Sequence, residues 1–117
     1  MPVAGDLDLD RLAELPETLG VELPEIVDTL VRGLDEAMAQ AEMSIAAGDL
    51  NAVALAAHSG RNSALMIGAA PVLAALGQLE TVAGEGDAAA ARAALDSVRA
   101  RWPALRARLE LAARQDA

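Results

Sequence analysis

The sequence predicts an all-α protein: an antiparallel four-helix bundle preceded by a short additional N-terminal helix. Three observations carry that expectation. The chain is 54% hydrophobic and is dominated by alanine and leucine, which favour helix. Runs of β-branched residues are absent, so strands are not expected. Apolar residues recur at helical spacing along four long segments joined by short turns, which is the pattern of a bundle. A length of 117 residues suits one domain over 1–117, with the bundle over about residues 23–114.

Each element has its own signal. The first segment runs from about Asp8 to Leu15, with Leu9, Leu12 and Ala13 on one side, and Pro16 and Gly20 then interrupt. The second is long, about Leu23 to Ala47. Pro24 fits its first turn, where a missing N–H costs little. Leu23, Val27, Leu30, Leu34, Ala37, Ala41 and Ile45 run down one face. Gly48 suits a left-handed cap at its end, and Asp49 can cap the next helix. The third segment spans about Leu50 to Gly68. The fourth starts at Pro71 and ends near Gly84, with Val72, Leu76, Leu79 and Ala83 in line. After the Gly84-Glu85-Gly86 loop, Asp87 can cap a fifth helix from Ala88 to about Arg114. Its seam is Leu95, Val98, Trp102, Leu105, Leu109 and Ala112. That seam keeps phase through Pro103, so one kinked helix is expected and not two.

Composition removes several function classes. There is no cysteine, which excludes disulfides, thiolate metal sites and cysteine nucleophiles. There is no lysine, so no lysine chemistry is possible. The acidic stretch from Met1 to Asp10 lacks a basic-then-apolar signal. The longest apolar stretch, Ala64 to Gly77, falls short of the ~20 residues a spanning helix needs, and membrane insertion is not expected. A cytoplasmic location is. The net charge of −9 makes nucleic acid a poor partner. That charge is unevenly spread: residues 1–60 carry −10 and residues 61–117 carry +1.

The third segment carries the chemistry. Stepping one hundred degrees per residue from His58, the only histidine, puts Val53, Ala56, Gly60, Ala64 and Ile67 on the far side. That is the core face, and its small residues let neighbouring helices come close. His58 then faces solvent. Asn51, Ala54, Leu55, Arg61, Asn62 and Leu65 fall within about a sixth of a turn of it. Arg61 can bind phosphoryl oxygens with charge assistance. Leu55 and Leu65 read as a docking patch, or as contacts to the first helix or to a second subunit. A lone histidine on a helix is more often an ordinary surface residue, so pattern alone does not assign it a role.

The stretch from Ala57 to Ala69 resembles the signature of the histidine-containing phosphotransfer (HPt) family, which reads roughly Ala-His-(Thr/Ser)-Leu-Lys-Gly-Ser-(Ser/Ala)-x-x-(Leu/Ile)-Gly-Ala. The match includes Ala57, His58, Ser59, Ser63, Ala64, Ile67, Gly68 and Ala69, with Arg61 where the family usually has lysine. The resemblance extends to Leu19-Gly20, Gly48-Asp49, Leu79-Glu80 and Gly86-Asp87. Two positions depart from it. Gly60 stands where a bulky apolar residue is usual, which either loosens the core or admits a neighbour's larger side chain. Asn62 stands where glycine is usual, and puts an amide beside the histidine.

The resemblance implies a phosphorelay carrier. His58 would accept a phosphoryl group on Nε2 from a receiver-domain aspartate or a kinase and pass it to a response regulator. Arg61 would stabilise the phosphoryl group, and Asn51, Ala54, Leu55, Ser59, Asn62 and Leu65 would meet the partner. The implied partners are response regulator receiver domains and a (hybrid) histidine kinase. No cofactor of its own is implied, because magnesium would sit in the partner receiver, and the chain would act as a monomer. It would carry the group and would not be a self-sufficient enzyme. The alternative is a degenerate adaptor of the same fold that binds receiver domains or other partners without phosphotransfer. The acids of the second segment, Asp28, Asp35, Glu36 and Glu42, are expected to be solvated rather than part of the docking surface.

Overall fold

The computed structural model describes residues 9–66 and 69–116, with side chains over residues 13–66 and 69–114. Five helices follow in order: α1 (Leu9–Leu19), α2 (Leu23–Ala46), α3 (Leu50–Met66), α4 (Ala70–Gly84) and α5 (Ala88–Asp116). There is no strand among the described residues. α2 packs on α3, α3 on α4, α4 on α5, and α5 returns to α2, which closes a ring of four; α1 packs chiefly on α2. The expected bundle with its extra N-terminal helix is therefore the fold.

One device makes two of the turns. At the end of α2, Gly48 adopts φ 74°. Its N–H donates to the Ile45 carbonyl, and the Asp49 N–H donates to the Ser44 carbonyl. Asp49 then caps α3, its Oδ1 accepting from the Ala52 N–H at 3.1 Å. At the end of α4, Gly86 (φ 79°) donates to Ala83 and Asp87 donates to Val82. Asp87 Oδ1 accepts from the Ala90 N–H at 3.0 Å. In each case the glycine satisfies the last carbonyls of one helix and the aspartate the first N–H groups of the next.

The core follows the expected seams. Leu23, Val27, Leu30, Leu34, Ala37 and Ala41 of α2 are buried, as are Val72, Leu76, Leu79 and Ala83 of α4. Ile45 is half-buried, and Ile26 and Val31 widen the α2 stripe. On α5, Leu95, Val98, Trp102, Leu105 and Leu109 are buried, but the next buried residue is Ala113 and not Ala112. A strict three-four spacing averages 3.5 residues and drifts against a helix of 3.6 per turn, so the buried line slips by one residue at the end. Pro103 lies inside α5, which continues through it as one helix.

α1 runs past its expected end, and the other boundaries fall within two residues of expectation or lie outside the described residues. α1 does not stop at Pro16 but runs through it to Leu19. A proline removes one N–H and crowds the preceding turn. Here Leu15, just before it, packs against the core and offsets that cost. Gly20, at φ 68°, ends the helix, its N–H donating to the Pro16 carbonyl. The expected start at Asp8 and the side chains of Leu9 and Leu12 lie outside the described residues, and Ala13 is exposed. The expected end of α3 at Gly68, and Ile67 on its core face, also lie outside them.

Candidate functional site

α3 is held on both flanks by small residues. Val53, Ala56, Ala57, Gly60 and Ala64 are buried, so its core face matches the expected one over the described residues. Toward α2, a Cβ on Gly33 would lie 2.9 Å from Ser63 Oγ. Toward the core, a Cβ on Gly60 would lie 3.2 Å from Ala37 Cβ and 3.3 Å from Leu76 Cδ1. The missing side chain at Gly60 has therefore not loosened the core. Leu76 of α4, 1% exposed, fills its place.

This packing leaves the His58 side chain 61% exposed. Asn51, Leu55, Ser59, Asn62 and Leu65 are exposed around it and Ala54 is half-buried. Leu55 at 72% and Leu65 at 52% are among the most exposed large apolar residues of the molecule. The face expected from helical geometry is thus assembled on α3.

The residue that sequence reasoning left without a role is Glu80 of α4. Its Oε2 lies 3.2 Å from His58 Nδ1, and its Oε1 accepts from Arg61 Nη1 at 2.7 Å. One carboxylate therefore joins the histidine to the arginine. The Arg61 chain passes over Gly77, where a Cβ would be 3.8 Å from its Nε, and that Nε is buried without a hydrogen-bond partner. Gly77 and Glu80 stand three residues apart and share a face of α4. Glu80 also follows buried Leu79, which places it at the edge of the core. The signals available in the sequence were the family resemblance at Leu79-Glu80, the place of Leu79 on the apolar seam and the spacing of Gly77 and Glu80. The Arg61 hydrogen bond, with the nearby charges of His58 and Arg61, holds the Glu80 carboxyl below the usual carboxylate range against the opposing effect of desolvation.

An ionised carboxylate can only accept. A neutral imidazole paired with Glu80 therefore carries its proton on Nδ1 and its lone pair on Nε2. Nε2 has no partner among the described residues. The arrangement presents a nucleophilic nitrogen to solvent from a ring fixed on its other side.

The acids of α2 divide in a way the sequence did not show. Asp28 pairs with Arg32 on the surface at 2.7 Å, and Glu36 is exposed. Asp35 and Glu42 are not simply solvated. Asp35 accepts from Trp102 Nε1 at 2.7 Å and from Arg106 Nη1 at 2.9 Å. Glu42 accepts from both Arg92 and Arg99. These acids bind α2 to α5, away from His58. A groove of about 560 Å³ opens on that same side, lined by Met38, Ala39, Met43, Trp102 and Pro103 among others. None of its lining residues belongs to α3 or α4.

Comparison with known proteins bears on the family and the fold. The Hpt domain family model matches residues 22–115. Among solved structures, histidine-containing phosphotransfer protein B (HptB) from Pseudomonas aeruginosa PAO1 is similar over 97% of this chain and 98% of its own, with a TM-score of 0.88 and 26% sequence identity. No curated protein sequence matches the chain. No described helix is long and apolar enough to cross a membrane.

Proposed function

The chain belongs to the Hpt domain family of phosphotransfer carriers in two-component signalling, and we propose that His58 is the residue that carries the phosphoryl group. The observation behind this is the pairing of His58 Nδ1 with Glu80, which leaves Nε2 as the outward nucleophile.

The step is an in-line transfer. A receiver domain docks over α3 and the α2 edge, with Leu55, Leu65, Asn51, Ala54, Ser59 and Asn62 at the contact. The Nε2 lone pair attacks phosphorus and forms the P–N bond. The P–O bond to the receiver aspartate breaks, and its electron pair stays on the aspartate carboxylate. Nδ1 keeps its proton, and Glu80 stabilises the cationic ring that results. Onward transfer reverses these events with a response regulator aspartate as acceptor. Positioning and charge neutralisation supply most of the catalysis in phosphoryl transfer. On this reading magnesium is held by the receiver, a (hybrid) histidine kinase feeds the relay, and the carrier works as a cytoplasmic monomer.

The test is transfer from a panel of phosphorylated receiver domains to the wild-type chain and to His58→Gln. The expected outcome is label on the wild type that is labile in acid and stable in alkali, and none on the variant. Tight receiver binding without label would instead support an adaptor. The departure from the family pattern at Gly60 lends that alternative no support, since Leu76 fills the space there.

A further inference from the structure

Arg61 is the cation expected to meet a phosphoryl group on His58, yet its guanidinium is already engaged. Glu80 Oε1 accepts from Arg61 Nη1 at 2.7 Å, and the other oxygen of the same carboxylate holds His58 Nδ1 at 3.2 Å. The pair as a whole carries no net charge. No other arginine is paired with Glu80 or His58 among the described residues. The remaining groups on the His58 face, Asn51, Leu55, Ser59, Asn62 and Leu65, are uncharged. Arg61 is also held at its Nε, which is buried over Gly77. A phosphoryl dianion on Nε2 therefore meets a neutralised arginine.

We propose that Glu80 withholds the positive charge of Arg61 from the phosphoryl group on His58, and so keeps His58 a ready donor and a poor store. Glu80 is then a positioning residue that acts through Arg61 and sets the balance of transfer. This rests on the carrier reading above and deepens it. Glu80→Gln keeps an oxygen that can accept from Nδ1–H but removes the charge that both neutralises Arg61 and stabilises the cationic ring. The same change made without Arg61 separates the two effects. The freed guanidinium then favours the phosphoryl dianion. Because the pair is partly exposed, solvent limits the effect to about threefold to tenfold.

The test loads the chain with phosphoramidate, which does not depend on a receiver. The zwitterionic reagent is attacked at phosphorus by Nε2, its P–N bond breaks, and ammonia leaves with the electron pair of that bond. ³¹P NMR then follows loss of the phosphoryl group from His58 to water in mildly alkaline buffer: water attacks phosphorus, the P–N bond breaks and its electron pair returns to Nε2. The expected result is a rate constant for that loss about threefold to tenfold lower in Glu80→Gln than in the wild type. In an Arg61→Gln background the same Glu80 change should alter the rate by less than about twofold, since no arginine is left to release. An equal rate in wild type and Glu80→Gln overturns the proposal. So does an unchanged Glu80 effect without Arg61, which would mean that Glu80 acts directly. Failure of every receiver to label a wild type that phosphoramidate does label would sink the carrier reading alone, and the ³¹P result would still stand. Far-UV circular dichroism of each variant verifies that the helices persist.

Discussion

Asp35 and Trp102 join residues that lie far apart in sequence. The Trp102 ring is 3% exposed, and its indole N–H donates to Asp35 at 2.7 Å. A buried donor left without its acceptor costs about 1–3 kcal/mol, more than the bond itself contributes. Asp35→Ala should therefore lower stability by about 1–2 kcal/mol in a urea melt. The Arg106 contact to the same carboxylate is exposed and adds little. A variant as stable as the wild type would show that water replaces the carboxylate. Residue identity and helical phase made His58, Leu55, Asn62 and Leu65 legible in the sequence. The Asp35–Trp102 and Glu80–Arg61 contacts were not, because they depend on how two helices slide past each other. Nothing in the phase of one helix fixes that register.

Among the elements, the fit of α3 to α4 turns on one exchange of volume. Gly60 gives up a side chain and Leu76 takes the space. Gly60→Leu should destabilise the chain by about 1–3 kcal/mol through overpacking. Leu76→Ala should cost about 2–5 kcal/mol through the cavity it leaves. Made together, the two changes should cost clearly less than their sum, because each relieves the other. Additive losses would mean that the two positions do not share one space. The departure at Gly60 was visible in the sequence, but the residue that answers it was not. Leu76 reads there only as one more member of an apolar seam. α1 continues through Pro16 for a related reason: the packing of Leu15 lies outside any local rule about proline. The Gly-Asp turns were legible because each acts within a few residues of chain.

Across the whole molecule, charge closes the ring. The surplus of acid in the first sixty residues is met in part by arginines of α5, at Glu42 and Asp35. The Glu42 carboxyl is held below its ordinary value of 4.5, first by the hydrogen bond from Arg92 and then by the charges of Arg92 and Arg99. A lowered folded value means that the contribution is complete above pH 4.5 and is lost as pH falls through the lower, folded value. The difference in melting temperature between wild type and Glu42→Gln should hold steady from pH 7 to about pH 5 and shrink below 4.5. A difference still unchanged at about pH 3 would rule out an ionised Glu42 as its source.

The same closure puts the chain's single tryptophan on the α2–α5 side of the ring, while His58 stands over the α3–α4 side. With no tyrosine or phenylalanine elsewhere, intrinsic fluorescence has one origin, deep in the seam that unfolding opens and on a different helix from His58. The molecule thus carries a built-in optical gauge of its own integrity that is spatially separate from its chemistry, so loss of fold and loss of transfer can be told apart in one cuvette.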